Sequence, residues 1–172
     1  MTRISLLLVS AFLLLSSASM AQMKIAHINT NELIASMPEA DSAQAQLQEL
    51  NDQYTRTGEE LQVEYRKAYL EYEQEVATMS DLVRKTKEDA LNDMQTRIQE
   101  FGTNAQTAIQ QKQQELMQPI YVKAQNAIQE VSDENGFDYI LDTGQGTVLT
   151  VPKDESLNVL SLVQAKLGIV VE

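Results

Sequence analysis

Between Glu39 and Glu115 the chain contains no proline and only two glycines, Gly58 and Gly102, in a run dominated by Gln, Glu, Ala and Lys. Such residues favour helix, and no other feature narrows the possible folds as much. Apolar positions in the run are sparse. Around Leu91 they fall at Leu91, Met94, Ile98, Phe101, Ala105 and Ala108, with spacings that alternate between three and four. This is the narrow seam of a coiled coil, not the broad stripe of a helix lying on a globular core.

Residues facing each other in an antiparallel hairpin have numbers that add to a near-constant sum. Leu50 with Ile109, Tyr54 with Ala105, Leu61 with Ile98, Tyr65 with Met94 and Ala68 with Leu91 all add to 159. Gly58 with Phe101 and Ala43 with Leu116 fit the same sum, so the largest seam residue faces a glycine. The seam therefore closes within the chain, with its turn at Met79-Ser80 and Ser80 or Asp81 as the cap of the second helix. Each arm of the hairpin, which spans 39–117 with its tip near 79–81, would be about 40 residues, or roughly 60 Å. Pro38 and Pro119 stand at nearly equal distances from the tip. They mark where the arms join something else, because proline starts helices readily and disturbs their interiors.

That something else is a small body drawn from 22–38 and 118–172. The stretch KIAHIN, Lys24 to Asn29, reads as a strand, yet the arm that follows it offers no partner. After Pro119, the positions Ile120, Ala124, Ala127, Ile128 and Val131 carry an amphipathic helix to Asn135-Gly136, a helix-ending pair. FDYILDTGQGTVLTVP then reads as two strands around a glycine turn, Phe137 to Leu141 and Thr147 to Val151. Alternation sets Phe137, Tyr139 and Leu141 on one face. DESLNVLSLVQAKLG is a final short helix, with Asp154 or Ser156 as cap and Gly168 just past its end. The fold class is thus mainly α with a small β body. Three strands and two short helices bury little apolar surface and leave open edges. The body therefore asks for an oligomer, and the strands to build it are Ile25, Ala26, His27 and Ile28, Tyr139, Ile140 and Leu141, and Val148 and Leu149.

Composition narrows the function. The chain has no cysteine and one histidine, His27, which removes thiol chemistry, multi-histidine metal sites and His-based triads. No catalytic residue, metal or cofactor is expected. With 13 basic against 25 acidic residues and a net charge of −12, nothing could neutralise nucleic-acid phosphates over a surface. The first 21 residues read as a cleaved export signal: Arg3, an apolar run from Ile4 to Leu15, and the small-x-small site Ser19-Met20-Ala21. No cysteine follows it to carry a lipid, so the mature chain is expected to be exported and soluble.

Three features invite sharper readings. Asp142-Thr143-Gly144 matches the aspartic-protease signature, but those enzymes need two such aspartates in a largely β framework with a flap; a hairpin turn suits this body better. His27 in mid-strand is a packed sheet residue before it is a pH switch. Tyr69 and Tyr72 lie off the strict seam on the second half of the first arm. They are the candidate contacts for a client chain, since amphipathic rings give area at low entropic cost.

KIAHINTNELIASMPEADSAQAQL resembles the N-terminal signature of the Skp/OmpH family of periplasmic chaperones for outer-membrane proteins. Lys24-Ile25-Ala26, Asn29, Leu33-Ile34 and Pro38-Glu39 stand at the matching positions. QELMQPIYVKAQNAIQEVSDENGFDYILD is similar to that family's return segment through Pro119, Ala127-Ile128, Gly136, Tyr139 and Leu141-Asp142. The resemblance implies a homotrimer with a β-barrel-like body, from which three helical tentacles surround a cavity that holds unfolded outer-membrane proteins without ATP. The arm departs from the family's basic tentacles, with 16 acidic and 8 basic residues over 39–117. Membrane or lipopolysaccharide contact is therefore not carried over, and Arg84, Lys85 and Lys87 near the tip read as a solvated charged face. A structural spacer or tether in the envelope, binding one folded partner, is the alternative from another class.

Overall fold

The computed structural model describes residues 23–146, 148, 150 and 154–169. It is mainly helical, with a small two-stranded sheet. Strand β1 (Ile25–Ile28) leads into a short helix α1 (Thr30–Ala35). Asn29 caps α1 by accepting hydrogen bonds from the backbone N–H groups of Asn31 and Glu32 at 3.1 and 3.2 Å. The sequence reading contained no helix here; six residues are too few to show a period, and only the capping asparagine signals it.

Helix α2 (Pro38–Glu75) starts on Pro38, whose missing N–H costs nothing in the first turn. A single 3-10 turn, Val76–Thr78, closes the far end. Helix α3 (Asp81–Asn135) then runs back for 55 residues, with the Ser80 hydroxyl accepting from the Val83 N–H at its start. It ends in a left-handed Gly136, and the Phe137 N–H closes on the Ser132 carbonyl at 3.0 Å.

Packing of α2 on α3 follows the seam. Residues 91, 94, 98, 101, 105 and 108 are buried or half-buried while the residues between them are exposed. A Cβ on Gly58 would meet the Phe101 ring at 3.6 Å, and Tyr54 sets its ring edge-on to Phe101 at 6.0 Å.

Pro119 does not interrupt the second helix, which passes straight through it. What changes there is the burial. Before Pro119 only Leu91 of α3 is buried; after it Ile120, Ala124, Ala127 and Val131 are, at spacings of four, three and four. They form one wall of the single core, against Ala26 and Ile28 of β1, Leu33 of α1, Met37, Ala43, and Val159 and Val163.

Strand β2 (Tyr139–Asp142) answers the question of what KIAHIN pairs with. It runs parallel to β1 in the register Ile25 to Tyr139 through Ile28 to Asp142. A parallel pair needs a long crossover, and the whole helical hairpin serves as that connection. On the other edge of β1, His27 forms an isolated parallel bridge with Asn158, and the Val159 N–H donates to the His27 carbonyl at 3.0 Å. His27 is 8% exposed, a packed sheet residue as expected.

Several expected elements differ. Phe137 lies outside β2 and packs beside the core, with the Lys24 ammonium 4.4 Å from its ring centre. Of the second strand expected at Thr147–Val151, residues 147, 149 and 151 lie outside the described residues, and Val148 carries no strand pairing. The final helix α4 (Leu160–Lys166) starts later than expected. Asp154 caps a 3-10 turn, Glu155–Leu157, and the bridge at Asn158 intervenes. Pairing with β1 takes those residues out of helix.

Candidate interaction surfaces

Two kinds of surface stand out: the outer face of the sheet and the exposed side of the arms. Side chains alternate along strands, so Ala26, Ile28 and Ile140 face the helices while Ile25, His27, Tyr139 and Leu141 face away. Of that outward set three side chains are open, whereas His27, flanked by β2 and the Asn158 bridge, is buried. Tyr139 is 57% exposed, Leu141 42% and Ile25 37%. Among the described residues, β2 pairs with β1 alone, and its other edge has no partner among them. A two-stranded sheet with one bare apolar face is marginal by itself.

The body is held against the hairpin by a ring of polar contacts. The Lys24 N–H donates to Asp138 at 2.7 Å, the Asp138 N–H returns to the Lys24 carbonyl at 2.8 Å, and the Lys24 ammonium reaches the Asn135 carbonyl. Lys166 of α4 ties to Glu134 and Glu130 of α3 at 2.6 and 3.0 Å, and these two carboxylates raise its pKa. At the arm's base, Lys123 bonds Glu39 and lowers the pKa of that carboxyl.

Asp142-Thr143-Gly144 proves to be a latch, not half of a catalytic dyad. The Asp142 carboxylate accepts from the Thr30 hydroxyl at 2.7 Å, the Thr30 N–H at 3.2 Å and the Gly144 N–H at 2.8 Å. Thr143 gives its N–H to the Ile28 carbonyl, and Asn31 donates its amide to the Gly144 carbonyl at 2.8 Å. Burial raises the Asp142 pKa, but the hydrogen bonds from Thr30, Gly144 and Gln145 outweigh it, and the group is held below the usual aspartate value. A depressed folded pKa contributes stability that is present above the unfolded value and is lost as pH falls through the folded one. The native protein should therefore lose stability on acidification below about pH 4. Asp142→Asn should be less stable at neutral pH and show a flatter acid limb in urea melts at stepped pH.

On the arms, the two tyrosines part company. Tyr69 is 42% exposed and stacks its ring on Tyr65 at 6.2 Å. Tyr72 is half-buried and belongs to the seam, continuing the spacing of Tyr65 and Ala68. The sum of 159 sets it opposite Lys87, a half-buried residue that a search for apolar pairs passes over. The Tyr72 hydroxyl donates to Glu88 at 2.6 Å, and that bond raises its pKa. Four exposed apolar residues went unnoticed in the sequence: Val63 at 62%, Leu70 at 49%, Leu82 at 77% and Val83 at 47%. Their signal was available, since all fall between the seam positions. Near the tip, Arg84 and Lys85 pair with Asp81 and Asp89, and Lys87 with Glu75, which leaves no uncompensated basic patch there.

No helix among the described residues is long and apolar enough to cross a membrane, and no cluster of His, Asp and Glu suited to a metal occurs among them. The fold and its surfaces define a class: a long helical hairpin standing on a small α/β body that exposes Ile25, Tyr139 and Leu141 on its sheet. The OmpH family, described as outer membrane protein (OmpH-like), matches residues 24–167. The fold is similar to the crystal structure of a proposed outer membrane chaperone (OmpH-like) from Caulobacter crescentus CB15. The two share a TM-score of 0.74 at 14% identity over 84% of this chain and 83% of that one. No curated protein matches the sequence. The chain belongs to the OmpH-like family.

Proposed function

We propose that this protein is an ATP-independent periplasmic holdase that keeps unfolded outer-membrane β-barrel proteins from aggregating. The observation that carries the reading is the arm, where large apolar side chains stand exposed along a solvent-bathed hairpin. Val63, Tyr69, Leu70, Leu82 and Val83 have no core to enter. Each offers a weak contact, so a client held by several stays mobile and leaves without an energy source. Tyr69 is the leading contact residue; Tyr72 is half-buried. Family membership supports the periplasmic setting, with residues 1–21 as the export signal.

The body is the assembly device in this reading. Ile25, Tyr139 and Leu141 supply an apolar face and β2 a free edge, and three copies would cover both in a barrel-like body with the arms around a cavity. The acidic arms keep loaded complexes apart and soluble, and no lipopolysaccharide site is proposed. Affinity capture from an envelope extract tests the reading against a spacer or tether. A heterogeneous set of unfolded β-barrel proteins supports the holdase, whereas one folded partner at fixed stoichiometry would replace it.

A further inference from the structure

We propose that the arm bends at one internal hinge, at the level of Gly58 and Gly102, which divides each hairpin into a base and a swinging outer segment. Gly58 is the single glycine of α2 and Gly102 the single glycine of α3. Although they lie far apart in sequence, the hairpin places them at the same height, since their numbers add to 160 against the seam's 159. Glycine is the weakest helix former after proline, so the two helices are weakened together at one level. A single weak point on one helix would be splinted by the other; two at the same height are not.

Packing does not require either glycine. A Cβ at Gly102 would meet nothing within 4 Å, and one at Gly58 would make ordinary contact with the Phe101 ring at 3.6 Å. Neither residue has the positive φ that would favour glycine. Space is also left around them. An open groove of about 790 Å³ lies at this level, floored by Phe101, Ile98 and Ile109. The contacts across it are apolar and the Tyr54–Phe101 pair meets edge-on, a geometry that can tilt without breaking a directional bond.

The polar cross-braces between the arms are distributed to match. Beyond the glycines, Gln95 bonds Tyr65 at 3.0 Å, Tyr72 bonds Glu88 at 2.6 Å, and Lys87 pairs with Glu75. At the base, Lys123 holds Glu39. Among the described residues, no hydrogen bond or ion pair joins α2 to α3 between these two groups. The outer segment, which carries Tyr69 and the tip, is thus braced within itself and moves as a unit.

The test is the double variant Gly58→Ala/Gly102→Ala in the full-length mature chain. The absence of native cysteine allows spin labels at Gln44→Cys and Glu73→Cys, on either side of the hinge and about 43 Å apart along a straight α2. Labelled chains are diluted into unlabelled ones so that only distances within a chain are read. The hinge predicts a broad distribution with a shorter-distance shoulder in the parent, narrowing to a single peak in the double variant. Amide exchange around residues 55–62 and 99–106 should slow by about fivefold with one alanine and roughly twentyfold with both. Exchange near Tyr72 and Glu88 should barely change. Equal distance widths in parent and variant would overturn the proposal. So would uniform slowing along the whole arm, or failure of the variant to fold.

Discussion

Replacing Gly144 by alanine should lower the stability of the fold by about 3 kcal/mol, combining a forced close contact with a damaged helix cap. A Cβ at this position would stand 2.7 Å from the Asn29 Oδ1, 3.1 Å from the Asn31 nitrogen and 3.2 Å from the Asn31 amide. None of these can retreat freely. Asn29 Oδ1 caps α1, and the Asn31 amide is the donor that holds the Gly144 carbonyl. The substitution therefore pushes the latch away from the strand-to-helix corner that carries Leu33, which is fully buried. Urea unfolding followed by circular dichroism, at fixed protein concentration so that assembly does not shift the midpoint, measures the loss. A change within about 0.5 kcal/mol, the range of an ordinary surface substitution, would mean that the latch does not pack against the cap.

The second large effect concerns assembly. Tyr139→Asp together with Leu141→Asp should dissociate the proposed oligomer while leaving the helices intact. Both side chains face away from their own chain's core and are half exposed or nearly so, so the folded subunit loses little. An unpaired carboxylate in a buried interface costs several kcal/mol, and two on one strand should weaken association by at least about a thousandfold. Light scattering should show the parent as a multimer and the variant near the mass of one chain, with equal helical circular dichroism. A multimer that survives both substitutions would place the subunit interface elsewhere.

Much of the helical part was legible because a seam of apolar residues spaced by three and four writes its partner into the numbering. The pairing of Gly58 with Phe101 came from arithmetic, and in the structure a Cβ at Gly58 would stand 3.6 Å from the Phe101 ring. Tyr72 escaped the same arithmetic because the residue at its matching position is the half-buried Lys87, which a count of apolar residues leaves out. Pro119 was visible as a boundary, but the feature it marks is a change in what α3 packs against, not a break in the helix. In the body, the sequence held too little information. The strands are four residues each, and their parallel pairing depends on residues brought together by the hairpin. Alternation grouped Tyr139 with Leu141 correctly, yet nothing in the pattern says whether that face is covered. The Asp142 latch was readable as a turn; that its carboxylate also secures Thr30, 112 positions earlier, is a tertiary fact.

Arms that hold unfolded chains should keep a denatured porin from aggregating. A urea-denatured outer-membrane porin is diluted into buffer with and without the purified mature protein, and aggregation is followed by light scattering. The account predicts suppression that saturates near one oligomer per client, without nucleotide. Suppression should also be weakened by replacing Val63, Tyr69, Leu70 and Leu82 together with serine, positions whose exposure makes them dispensable for folding. Unchanged aggregation of several such porins, in the presence of a folded and assembled protein, would contradict it.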